Sequence, residues 1–190
     1  MPLPSHLKAP LGQYLVLLDK WNRTHALTSL PPGERREELL EDASHLLPHL
    51  AGLPAGSRVV DLGTGMGCPA VLLALARPDL EVVGVDAVSK KMAFLRQVAL
   101  ELQLPNLQAV HGRFETLPPL AGDVGVAKAL APLDQLMGWW ARHGRPGAPF
   151  FALKGPAWTE EVQPAGWTLT PHAYRLPTRG DRVLVELRPE

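Results

Sequence analysis

The chain has 190 residues, 46% of them hydrophobic, and its 19 lysines and arginines are balanced by 19 aspartates and glutamates. That length suits a single domain, 1–190, with one sizeable core, and zero net charge excludes a global positive field, so any nucleic-acid contact must be a local patch. No apolar run reaches the roughly 18 residues needed to cross a bilayer, and the first ten residues lack the apolar core of a secretory signal, so a cytoplasmic location is expected. A single cysteine, Cys68, excludes an internal disulfide, and scattered histidines without a second thiol give no zinc spacing, so no metal is expected.

Leu11, Tyr14, Leu15, Leu18 and Trp21 recur at intervals of three and four, which predicts an amphipathic helix over Pro10 to Asn22. The periodicity fades through Trp21 to Thr28 into Pro31-Pro32. A second helix is expected from near Pro32, where proline is tolerated in a first turn, with Leu39, Leu40, Ala43, Leu46, Leu47 and Leu50 on one side. The segment 1–50 should therefore pack as helices on an edge or face of a following sheet.

The organising stretch runs from Ser57 to Val88. It contains a β-branched run (Arg58 to Leu62), glycines at alternate positions (Gly63, Gly65, Gly67), an apolar helical segment (Ala70 to Arg77) and a second apolar run ending at Asp86. Glycines permit positive φ and let a ligand lie against the backbone beside the free amides of a helix start. An acid closing the second strand, 19 residues after Gly67, is placed to accept hydrogen bonds from ribose hydroxyls. The third glycine comes one residue earlier than in the dinucleotide fingerprint, and Asp61 precedes the first by two. A carboxylate there repels a pyrophosphate but receives an ammonium group, which favours S-adenosylmethionine over NAD. A tight turn with an incidental acid is the structural alternative.

Further on, Ser89 is a plausible N-cap for a helix over Lys90 to Gln103, and Asn106 to His111 reads as a third strand. A fourth strand is expected over Asp123 to Lys128, a helix over Leu133 to Arg142, and a fifth strand over Pro149 to Leu153. Strands alternating with helices imply crossover connections and a parallel sheet. Trp167 to Leu176 and Arg182 to Arg188 read instead as a terminal hairpin about a 177–181 turn. The expected fold is thus α/β: a Rossmann-like, mostly parallel seven-stranded sheet with an antiparallel C-terminal hairpin and N-terminal helices.

Ligands of such sheets bind at the carboxyl ends of the strands. Those ends collect 61–67 (with Thr64), Asp86-Ala87, Gly112 to Glu115, Lys128 and Lys154. Phe114 could stack on an adenine or pack in the core, and Glu115 could orient the adenine amine. Lys128 and Lys154, costly to bury without a partner, could meet a cofactor carboxylate or a phosphate, or reach to solvent. Of Trp139-Trp140, which could stack on bases, at least one should be core. Cys68 has no neighbouring base and reads as a small packing residue.

Several segments together resemble the RsmG (GidB) family of bacterial 16S rRNA guanine-N7 methyltransferases. They are Trp21-Asn22 with Leu27-Thr28, the DLGTGMGCP turn at 61–69, VDAVSKKMAFLRQVALEL at 85–102, Gly112 to Glu115, Ala131-Pro132-Leu133 and Ala152 to Gly155. The resemblance implies a class I S-adenosylmethionine-dependent fold and methylation of a guanine in the 530 loop, giving 7-methylguanosine. It assigns the cofactor to Gly63, Gly65, Cys68, Asp86, Phe114, Glu115 and the position of Lys128. Asp61, Thr64, Gly67 and Ala87 complete the expected cofactor set, while Arg113, Lys154, Arg179 and Arg182 are the expected RNA contacts. Five departures stand out: lysine for the usual arginine at 128, loss of an Arg-His pair around Glu38-Leu39, valine for a histidine at 183, Cys68 and Ala70 in the turn where a larger apolar residue and glycine are common, and a shorter N-terminal helical region.

Methylation at N7 removes no proton, so no general base is expected, and Lys128 and Lys154 are assigned positioning roles. The expected partner is the small ribosomal subunit, met by a monomer. The alternatives are another RNA or protein acceptor, a non-catalytic ribosome-associated module, and a nucleotide-dependent oxidoreductase.

Overall fold

The structure, a computed structural model, describes residues 3–190. Seven strands form one sheet: β1 Arg58–Leu62, β2 Glu81–Asp86, β3 Leu107–His111, β4 Val124–Lys128, β5 Phe150–Lys154, β6 Trp167–Leu176 and β7 Gly180–Pro189. Their order is β3-β2-β1-β4-β5-β7-β6. The first five pair in parallel, and β7 runs antiparallel to both β5 and β6. The strand order reverses between β1 and β4, which opens a crevice at their carboxyl ends.

Alternation along the strands divides the core in two. Val59, Val82, Val124, Val126, Phe151 and Leu184 pack with the N-terminal helices, α5 (Ala70–Ala76) and α6 (Ser89–Glu101). Val60, Leu62, Val83, Val85, Ala127, Phe150 and Val185 face the other way, against α7 (Leu133–His143). Fully burying one such valine or leucine contributes about 1.5–3 kcal/mol.

The first helix, α1, spans Lys8–His25, longer at both ends than periodicity indicated. It stops where Ala26 turns left-handed at φ 46°. The Asn22 side chain then clips the loop, donating to Thr28 O at 3.0 Å and accepting from Thr28 N at 2.8 Å. The second predicted helix is broken into α2 (Pro32–Arg35), a π-helical stretch Arg36–Glu41, α3 (Asp42–Ser44) and α4 (Leu47–Leu50). Its leucines still reach the core, while Glu38 and Asp42 meet Lys128 of β4 and Glu37 meets the β6–β7 turn at Thr178.

Ser89 does not cap α6; Val88 occupies the N-cap, and the Val88 amide donates to Asp86 Oδ1 at 2.9 Å. No side chain caps the first turn, because Ser89 is itself the first helical residue. No helix among the described residues is long and apolar enough to cross a membrane.

Candidate active site

The glycine turn follows β1 at the crevice, with Gly63, Gly65 and Gly67 all at positive φ (69°, 58° and 97°). A Cβ on Gly63 would sit 2.4 Å from Leu130 Cδ1, and one on Gly67 would sit 2.8 Å from Leu95 Cδ1. Gly65 differs, because its added Cβ would meet nothing nearer than 3.9 Å. Two glycines are therefore demanded by packing, and the middle one leaves open backbone for a ligand to lie against. From below, buried Tyr14 of α1 donates to Met66 O at 3.1 Å and holds the turn in place.

Asp61 is wholly buried behind this turn. Its Oδ2 accepts from Ala70 N at 3.1 Å, and the buried Thr64 hydroxyl beside it is another group that favours its ionised form, each having no further hydrogen-bond partner among the described residues. Burial drives the Asp61 carboxyl up from 3.8 to about 7. Asp86 accepts from Gly65 N at 3.1 Å and Val88 N at 2.9 Å, and each carboxylate oxygen keeps a lone pair for a further donor. Ala87 is exposed beside it, and its carbonyl accepts from His111 Nε2 at 3.0 Å.

Phe114 is buried and packs on Trp139, with ring centroids 4.7 Å apart, so the core reading holds for most of its surface. Exposed Glu115 accepts from Trp139 Nε1 at 2.9 Å, and Arg113 is exposed next to it. Trp140 is core, donating to Ala148 O at 3.1 Å. Cys68 is buried with its thiol on Leu39 O at 3.1 Å, and burial pushes its pKa up, so it packs against the N-terminal helices.

The lysines do not project freely into the crevice. Lys128 Nζ lies 2.9 Å from Glu38 Oε1 and 3.3 Å from Asp42 Oδ2. Asp42 also accepts from Tyr174 Oη at 2.6 Å. Lys154 Nζ donates to Ala131 O at 2.6 Å and to both Glu161 oxygens at 2.9 and 2.8 Å, which occupies its three hydrogens. Glu161 Oε2 in turn accepts from Leu133 N, the first residue of α7, at 2.8 Å. As found, Lys154 fixes the 129–132 loop, and a direct contact with RNA would have to displace those partners.

Both lysines line a cavity of about 210 Å³ with Glu38, Asp42, Gly155 and Arg182. Arg179 pairs with Glu34 and Glu38, and Arg182 Nη2 lies 3.8 Å from Glu38 Oε2. Glu38, Asp42, Tyr174 and Glu161 are the site residues that sequence reasoning missed. The one signal for them was the burial cost of an unpartnered lysine, which requires an anion without naming it.

An open crevice at the strand-order reversal, a glycine turn and an acid ending β2 define a Rossmann-like class I methyltransferase fold. Solved structures agree: TrmN from Thermus thermophilus superposes with a TM-score of 0.62 at 25% identity, covering 78% of this chain and 48% of that one. A SAM-dependent methyltransferase from Aquifex aeolicus gives 0.61 at 19% identity, covering 83% and 93%. More specifically, the sequence pattern of rRNA small subunit methyltransferase G (GidB) matches residues 7–173, and the chain belongs to that family. Ribosomal RNA small subunit methyltransferase G of Bordetella pertussis is 40% identical, over 86% of this chain and 74% of the relative. The Klebsiella pneumoniae protein of that name is 36% identical over 99% and 92%.

Proposed function

We propose that this chain transfers the methyl group of S-adenosylmethionine to N7 of a guanine in the 530 loop of 16S rRNA, acting as a cytoplasmic monomer on the small ribosomal subunit. The observation that carries the cofactor half is the buried Asp61 carboxyl, which has only the Ala70 amide and the Thr64 hydroxyl beside it and no paired cation, behind a glycine turn with one open face. An ammonium group satisfies such an acceptor, and a pyrophosphate does not. Asp86, at the end of β2, has acceptor capacity left for ribose hydroxyls. Family membership carries the RNA half.

When bound, S-adenosylmethionine supplies an electrophilic methyl carbon. The chain's own residues then have to place and shield the acceptor. Guanine N7 offers an in-plane lone pair and loses no proton, so the reaction asks for no general base. Positioning supplies effective molarities on the order of 10⁵ M or more. In this reading Lys154 acts through the 129–132 loop it holds and Lys128 through the Glu38–Asp42 network, while Gly63, Thr64, Gly65 and Asp86 meet the cofactor. Ala129, held at φ 47° at the end of β4, keeps that loop in a sparsely populated conformation. Exposed Arg113 after β3, and Arg179 and Arg182 near the β6–β7 turn at the far end of the sheet, are the RNA contacts in this reading.

The test is tritiated methyl transfer to small subunits that lack the modification, with strand cleavage mapping at 7-methylguanosine. Label at one guanine of the 530 loop is expected. Cofactor binding without transfer would overturn the acceptor assignment.

A further inference from the structure

Away from the crevice, His49 of α4, His172 of β6 and Glu186 of β7 converge on the sheet face that packs against the N-terminal helices. Their ligand atoms all lie within 4.8 Å of one another. The convergence is built by the fold. Thr170 pairs with Glu186 and His172 with Leu184 across the hairpin, so period-two alternation sends His172, Leu184 and Glu186 to one side. Leu184 is buried there among the leucines of the helical segment. His49 reaches the same point from above, its ring 4.4 Å from that of His172 and 5.6 Å from that of Phe151.

We infer that His49, His172 and Glu186 form a binding site for a divalent transition cation of the zinc class. Two imidazoles and one carboxylate from three separate elements are a donor set that zinc accepts with a water in the fourth position. All three residues are half-buried, which leaves a side open to that water. Donor atoms around tetrahedral zinc stand about 3.4 Å apart, for bonds of about 2.1 Å. His172 Nε2 and Glu186 Oε2 already stand 3.1 Å apart, and side-chain rotation brings in His49. The remaining carboxylate oxygen, Oε1, is held at 2.6 Å by Arg188 Nε, which orients the ligand oxygen as a second layer of contacts does in metal sites. A bound cation would tie the β6–β7 hairpin to the helical segment whose Glu37, Glu38 and Asp42 reach the crevice.

The full-length chain, freed of any affinity tag and stripped with chelator, should be titrated with zinc alone by competition with a chromophoric chelator. One equivalent should bind, thermal melting should rise, and cobalt in its place should show visible bands of a four-coordinate site. His49→Gln, His172→Ala and Glu186→Gln should each weaken zinc binding at least tenfold and abolish the melting shift. Should His172→Ala misfold, the other two decide, since each nearly preserves volume. Zinc binding unchanged in those variants, or no zinc bound by the wild type at micromolar concentration, would overturn the site.

Discussion

The two halves of the crevice are built on opposite principles. On the β1–β2 side, the buried Asp61 carboxyl has only the Ala70 amide and the Thr64 hydroxyl beside it, and Gly65 presents bare backbone. On the β4–β5 side, the Lys128 ammonium is held by Glu38 and Asp42, and that of Lys154 by Glu161 and Ala131. One half buries a carboxyl group with no paired cation; the other pairs its cations with carboxylates, with which an RNA phosphate must compete, although Glu38 Oε2 there has ion-pair contacts but no hydrogen bond. The difference teaches that the glycine-turn half keeps a buried carboxyl without a paired cation, as the proposed cofactor site requires, while the β4–β5 half spends most of its charge on holding its own loops.

The largest effect should come from breaking the frame. Lys154→Met leaves the Glu161 carboxylate uncompensated beside α7 and should cost about 3 kcal/mol of stability in denaturant unfolding. The double variant with Glu161→Gln should regain part of that loss, whereas additive losses would mean that the pair holds nothing in common.

Next comes relief of the cost on the other side. The carboxyl of Asp61 is held at about 7 against 3.8 in an unfolded chain, so between those values the folded state keeps a proton that the unfolded state has released. Folded stability therefore falls as pH rises through that window, and the loss is complete above about 7. Asp61→Asn, which can still accept from Ala70 N, should raise stability by about 2 kcal/mol at pH 8, with the gain shrinking toward pH 4. Thermal melts across that range check the sign.

Asp86→Ala should weaken S-adenosylmethionine about tenfold by calorimetry, about 1.4 kcal/mol, through lost ribose contacts. The smallest effect belongs to Glu38→Gln. It removes one of two anions from Lys128, one of two from Arg179, and the carboxylate near Arg182. RNA binding should strengthen about two- to threefold at low salt and not at high salt, because a surface-charge contribution is screened.

How much of this the sequence carried follows from the range of each interaction. The β-branched runs and the DLGTGMG turn are local, and β1, β2 and the glycine conformations follow from them. The terminal hairpin was equally legible through the alternation of Val183, Val185 and Leu187. Glu38 was not, because the Lys128 contact spans 90 residues and depends on a π stretch that no spacing announces. The same holds for His49, His172 and Glu186: scattered along the chain they suggested no metal, and only the hairpin register and the broken helix bring them together. Lys154 was recognised as needing a partner, but its saturation by Glu161 and Ala131 became visible only once the 3₁₀ turn Pro156–Glu160 had folded back.

Under the proposed function, Asp61 is a buried acceptor kept for the cofactor's ammonium group. Calorimetric titration of S-adenosylmethionine into the wild type and Asp61→Asn, at pH 6 and pH 7.5, tests it most directly. Wild-type affinity should strengthen roughly five- to tenfold between those values as Asp61 ionises, and the variant should bind more weakly with no such dependence. Equal affinity and equal pH dependence in the two proteins would contradict the claim.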